Sequence, residues 1–352
     1  LTKQPLRRYI MAAAVETMAY AGEVPWHGLG VKVDNTLTPE EMLVQAGLDW
    51  SVSKREIFTY DNADPDKSND LIMAPNHSLL VRDSDNQIFG PCGPKFIPTQ
   101  NKDAFTFFKK FTDAGNMTME TAGSLKGGRQ IWGMAKVDES FTLPGDDRVL
   151  GNLLVSVSHE WGKSNEIRFT PIRVVCNNTL SMALADKSQP NFKMAHTKAF
   201  DGDLVATAEE ALGLASNRMK EYKEAAEYLC SKKYTKDSVV SYIAELMQPK
   251  LALQQKILES TTNEKAYVAR ATMLDEFQRA PSKVYEALEL QPGANLKSSA
   301  GTWWGAMNAV TFVVDHKWGH DRDAAMHNAW FGARASLKTR AMTKAIDYAN
   351  AA

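Results

Sequence analysis

The sequence predicts an α+β fold: an antiparallel sheet built from hairpins with packed helices, followed by an α-helical C-terminal half. Three observations carry that prediction. Apolar and polar residues alternate in the N-terminal half, most clearly over Val149–His159, where Leu153, Val155 and Val157 share one face. Short Gly, Asp and Asn turns separate the alternating stretches. From about Leu204 the chain carries good helix formers at helical spacing, punctuated by Pro249, Pro281 and Pro292-Gly293.

The elements follow in order. Residues 1–10 read as an extension or an expression remnant, because Met11 opens a more natural start; a basic arm with Lys3, Arg7 and Arg8 is the alternative. Residues 11–200 read as the α+β domain and 201–352 as a helical region packing on it. Thr38-Pro39-Glu40-Glu41 predicts a capped helix, with Thr38 as N-cap, Pro39 at the first turn and Glu41 closing a capping box. Asp83-Ser84-Asp85-Asn86 joins two strands. A helix opens at Asn101 and stops by Gly115. Met117–Ser124 and Arg129–Val137 flank a Gly127-Gly128 turn, and Val149–His159 and Ile167–Val175 flank Trp161-Gly162-Lys163-Ser164. Pro171 places an edge or a bulge in the last strand. Asn178 is expected to cap a helix over Thr179–Ala185, and Lys187–Phe200 to be a linker or exposed loop. Helices are expected over Leu204–Ser231, Lys236–Met247, Leu251–Gln278, Thr302–Trp318 and Asp321–Ala349.

Composition is that of a globular chain, 44% hydrophobic and 24% charged. No apolar run reaches the roughly 18 residues that span a bilayer, and no charged-then-apolar leader is visible. We therefore expect no membrane and a bacterial cytoplasmic location. Cys92, Cys176 and Cys230 are too few and too scattered for a disulfide framework or a zinc pattern. No cofactor and no metal are expected.

A net charge of −1 excludes a globally basic nucleic-acid binder, yet charge is uneven. Gly93–Lys136 holds seven basic and three acidic residues. Lys95, Lys102, Lys109, Lys110, Lys126, Arg129, Lys163, Arg168 and Arg173, with Trp132, Trp161 and Phe169 as stacking rings, form the candidate single-strand groove. Charges would track phosphates and rings would stack bases; a solvated surface is the plain alternative. His27 is either a base or a phosphate contact, or it is a buried turn residue hydrogen-bonded to backbone. Cys176 is either a nucleophile awaiting a histidine or a small buried thiol. His316 and His320 are four apart, but Gly319 intervenes and the spacing to His327 fits no standard metal pattern. Trp303, Met307, Val310 and Val314 form one helical stripe and Trp304, Asn308, Thr311 and Asp315 a second, which reads as a hydrogen-bonded seam inside the chain or a subunit contact.

Several segments recur in order in a known family. Pro25-Trp26-His27-Gly28-Leu29-Gly30, Arg173-Val174-Val175-Cys176-x-Asn178-Thr179-Leu180, Trp304-Gly305-Ala306-x-Asn308-Ala309-Val310-Thr311, Asp315-His316 and Trp330-Phe331-Gly332 with Lys338 resemble an uncharacterised family of phage- and plasmid-encoded proteins with a domain-of-unknown-function label. That resemblance implies a mobile-element setting and no established activity. The roles of Trp26, His27, Gly28, Cys176, Asn178, Trp304, Asn308, Asp315 and His316 stay open. Hairpins followed by helices, with basic residues on the sheet, are also similar to phage single-strand annealing proteins of the Red-beta and RecT kind, by analogy of fold. The leading expectation is a homo-oligomeric, non-enzymatic protein that binds single-stranded DNA and anneals it. The alternatives are an assembly or host-interaction protein and a hydrolase using Cys176.

Overall fold

The computed structural model describes residues 15–22, 30–60, 71–113, 117–176, 178–179, 192–194, 196, 204–248, 278–318, 330 and 333–351. The elements are β1 (Val15–Ala21), β2 (Val31–Val33), α1 (Pro39–Gln45), β3 (Val52–Tyr60), β4 (Leu71–Arg82), β5 (Ile88–Cys92), α2 (Asn101–Asp113), β6 (Met117–Leu125), β7 (Gln130–Leu143), β8 (Asp147–Ser158), β9 (Asn165–Arg173), β10 (Asn178–Thr179) and β11 (Phe192–Met194). Helices α3 (Leu204–Ser231), α4 (Lys236–Met247), α5 (Trp303–Phe312) and α6 (Ala333–Ala351) follow, with helical residues 278–290 before α5. The α+β class with a helical C-terminal half is what forms. The larger sheet runs β10-β9-β8-β7-β6-β1-β2 with β11 also on β9, and a smaller sheet runs β3-β4-β5.

Two compact units divide the chain. The first comprises Leu1–Val137, Leu153–Arg168 and Asn191–Gly213. In it α1 starts as its sequence dictates: the Thr38 backbone N–H donates to Glu41 and the Glu41 N–H donates to Thr38 Oγ1, closing the box. α2 buries Ala104, Phe105, Phe107 and Phe108 against Met117, Met119, Ile131, Ala135, Val155 and Val157. These are strand positions whose side chains alternate toward one face. The small sheet has its own core of Val52, Leu80, Phe89, Cys92 and Phe96. One edge departs from the hairpin expectation: β1 and β2 pair in parallel, Ala19 opposite Val31.

The second unit comprises Asp138–Asn152, Phe169–Pro190 and Leu214–Ala352. Its core joins Phe141, Leu143 and Val149 to Tyr222, Leu229, Tyr242, Leu246, Val284 and the whole of α5. α5 is buried on every side, so both of its stripes face the interior of the chain. Thr302 caps it, accepting from the Gly305 N–H at 3.1 Å. Gly305 is required by close approach, since a Cβ there would run into the Ser299 carbonyl. A π-helical turn, Val313–Lys317, follows.

Two expectations need correction. Asn178 does not cap a helix at Thr179. The single 3₁₀ turn Val174–Cys176 reverses the chain, and Asn178 and Thr179 pair antiparallel with Arg173 and Ile172. The Lys187–Phe200 stretch contains β11, which pairs with β9 at Ile167, Glu166 and Asn165. Pro171 falls between the registers of β11 and β10, a position where a missing N–H is tolerated. The predicted helix Leu251–Gln278 lies almost wholly outside the described residues.

Candidate functional site

The recurring motif residues of the second unit converge on two buried ion pairs. Arg173, at the end of β9, donates from Nε to Asp147 Oδ1 at 2.8 Å and from Nη2 to Oδ2 at 2.8 Å, with neither side chain exposed. Asp147 also accepts from Ser298 Oγ at 2.6 Å and Trp304 Nε1 at 3.0 Å. Arg173 Nη2 donates further to Ser299 Oγ at 2.7 Å. The carboxylate is thus matched by donors on every side, which a buried charge needs. Along α5 the Asn308 amide donates to the Trp304 carbonyl at 2.9 Å and Thr311 Oγ1 to the Met307 carbonyl at 3.2 Å. The stripe ends at Asp315, which accepts from Lys338 Nζ of α6 at 2.9 Å. Burial pulls the Lys338 ammonium below its ordinary value, against the attraction of Asp315. These groups are out of solvent and mutually satisfied, so they hold the unit together and present nothing to a substrate.

Asp147, Ser298 and Ser299 were not legible as partners. The signal available was an arginine on an alternating strand, which must find an acid if it faces inward. Arg173 is therefore corrected as a groove residue, because its guanidinium is enclosed. Trp132 is corrected as a stacking ring: it is fully buried, stands opposite Gly123 in the β6–β7 register, and fills the space a Gly123 side chain would occupy. Phe169 is half-buried against the helical core and lies over Gly151.

The other predicted contacts lie in the first unit. Lys95, Lys102 and Lys163 are exposed and form no ion pair among the described residues. Lys126 is half-buried in the Gly127-Gly128 turn. Lys109 pairs with Glu40 at 3.2 Å, which raises its pKa; Arg168 pairs with Glu166; Arg129 donates from Nε to the Phe89 carbonyl at 3.1 Å. The Lys110 side chain lies outside the described residues. Trp161 is 57% exposed in the β8–β9 turn, against 0% for Trp132, Trp303 and Trp304. Its ring meets His77 edge-on, centroids 6.4 Å apart, and lies against Gly93. His77 sits in a four-residue bulge of β4, between the Glu56–Ser78 and Phe58–Met73 pairs, and Lys95 is two residues beyond Gly93. The structure thus places one exposed ring and two exposed ammonium groups on neighbouring short loops.

Trp26, His27 and Gly28 lie outside the described residues, as do His320, His327 and the Cys176 side chain. His316 is half-buried with its ring 4.8 Å from Phe312. Among the described residues no group of three or more His, Cys, Asp or Glu could hold a metal ion. None of the described helices is long and apolar enough to cross a membrane.

Fold and site together define an α+β protein whose motif residues secure a helical core and whose polar loops lie on the strand-rich unit. Residues 89–346 match the domain of unknown function DUF932. The chain belongs to that family. Comparison with curated proteins and with solved structures found no match.

Proposed function

We propose that this chain is a phage- or plasmid-encoded protein that binds single-stranded nucleic acid, DNA foremost, and anneals it during replication or recombination without catalysing a reaction. It would act as a homo-oligomer in the bacterial cytoplasm. The observation that supports the reading is Trp161, a large ring left in solvent on a short turn, braced by His77 and Gly93 and flanked by Lys163 and Lys95. A braced ring can stack a base of any identity, and nearby ammonium groups can follow the phosphates. No cofactor enters such a mechanism.

The test is binding of a labelled single-stranded oligonucleotide across a salt series, with duplex in parallel. Trp161→Ala should weaken binding by about 1–3 kcal/mol. Lys95→Ala and Lys163→Ala should each flatten the logarithmic salt slope by roughly 0.7. No binding at low salt would remove the reading. A second reading, an assembly or host-interaction protein, is favoured by the outer part of the β3–β4 ribbon. There Phe58 pairs with Met73 and Tyr60 with Leu71, and all four are about half exposed or more. Discrete oligomers without nucleic-acid affinity would select it.

A further inference from the structure

Two histidines of the first unit are buried with one ring nitrogen each left without a partner among the described residues. His159 is fully enclosed. It stacks on Phe89, centroids 5.6 Å apart, and meets Trp50 edge-on at 5.3 Å. Its Nε2 lies 3.0 Å from Asn101 Oδ1. The Asn101 amide nitrogen already donates to the Leu48 and Trp50 carbonyls, so His159 must be the donor at Nε2, and its Nδ1 carries only a lone pair. His196 is 5% exposed and stacks on Phe96 at 4.3 Å. Its Nδ1 faces the Ile97 carbonyl at 3.3 Å and so carries the proton, which leaves Nε2 as the bare nitrogen. The Ile97 N–H in turn donates to the His196 carbonyl at 2.7 Å. His196 follows the β11 strap by two residues, and this reciprocal pair fastens the strap to the loop 93–97.

We propose that His196 is an acid-sensitive latch: protonating its ring places a cation at a buried nitrogen that has no acceptor among the described residues, and the strap and the loop 93–97 release each other. The charged groups around the pair give that cation no relief. From β4, Arg82 presents a guanidinium already committed to Glu16 of β1 and Asp85. From β3, Lys54 Nζ donates to the Pro94 carbonyl at 3.0 Å. His159 stays neutral throughout, its pKa lowered to about 3 by burial first and by His196 and Arg82 next. Burial also lowers the pKa of His196. The loop carries Lys95 and backs Trp161 through Gly93. Acid release would therefore loosen the surface proposed above, and that consequence alone rests on the nucleic-acid reading.

The test follows exchange of the Ile97 amide in the full chain, corrected for intrinsic rates, from about pH 7 to about pH 5. Exchange should accelerate by up to about tenfold per pH unit once His196 takes a proton, while amides of β6 and β7 keep their protection. His196→Phe keeps the stack and removes the titration, so its Ile97 exchange should lose the pH dependence. A flat wild-type profile, or a His196→Phe profile as steep as wild type, overturns the latch. Ring-nitrogen NMR of the wild type tests the same point without a variant. The Nε2–H form of His159 and the Nδ1–H form of His196 are expected at neutral pH, and the opposite tautomers would overturn it. None of these readouts uses nucleic acid, so the latch and the binding face fail separately.

Discussion

Lys338 and Asp315 show what a single residue is asked to do inside the second unit. Both side chains are almost wholly out of solvent, and their bond is short. Removing one partner strands a charge, whereas removing both leaves an apolar gap of similar volume. Lys338→Met should therefore lower stability by about 3–5 kcal/mol, while the pair Lys338→Met with Asp315→Leu should recover most of that loss. Urea denaturation of the single and double variants measures both terms. A double variant no more stable than the single would show that the ions are held by more than each other. Arg173 follows the same logic. Arg173→Met should cost a comparable amount and leave the salt slope of nucleic-acid binding unchanged, which separates it from Lys95 and Lys163.

At the scale of elements, the ends of helices were the most legible feature. The Thr38–Glu41 capping box forms as written because its groups are neighbours in sequence and need no tertiary context. Thr38→Ala should lower stability by about 1 kcal/mol. Thr302→Ala should cost more, about 2 kcal/mol, because its buried hydroxyl also donates to the Ser298 carbonyl at 2.6 Å. Thermal unfolding of the two variants ranks them, and equal losses would deny the buried bond its share. The same reasoning explains what could not be read. Asn178 looks like an N-cap, yet pairing with Arg173 across a tight reversal decides its conformation, and that pairing is a tertiary fact. The stripes of α5 were visible at helical spacing, but their partners Asp147 and Lys338 lie 157 and 23 residues away along the chain. Trp132 and Trp161 are alike in composition. One is fully buried opposite Gly123 in the β6–β7 register, and the other is exposed in the β8–β9 turn beside Gly162.

For the whole molecule, a net charge of −1 means that general repulsion changes little near neutral pH, so stability there is governed by particular groups. Two sets act in different windows. His159 has a folded pKa of about 3 against an ordinary 6.5, and His196 is lowered as well. The unfolded chain then binds more protons than the folded one below 6.5, so stability falls as pH drops through that value and levels off only near 3 for His159. The carboxylates of Asp83, Asp85 and Glu245 are held low by their hydrogen-bond donors, and their contribution is lost at lower pH, below about 4. Acid destabilisation should therefore begin well before the carboxylates titrate, at about 1.4 kcal/mol per pH unit from His159, with His196 adding in the same direction. His159→Leu should reduce that slope, because an apolar side chain fills the space between Phe89 and Trp50 without a proton to gain. Denaturant midpoints measured at intervals from about pH 7 to about pH 4 resolve the two windows. A midpoint that stays level down to about pH 5 would mean that the folded chain gains as many protons there as the unfolded one, and the histidines would then have to be charged within the fold.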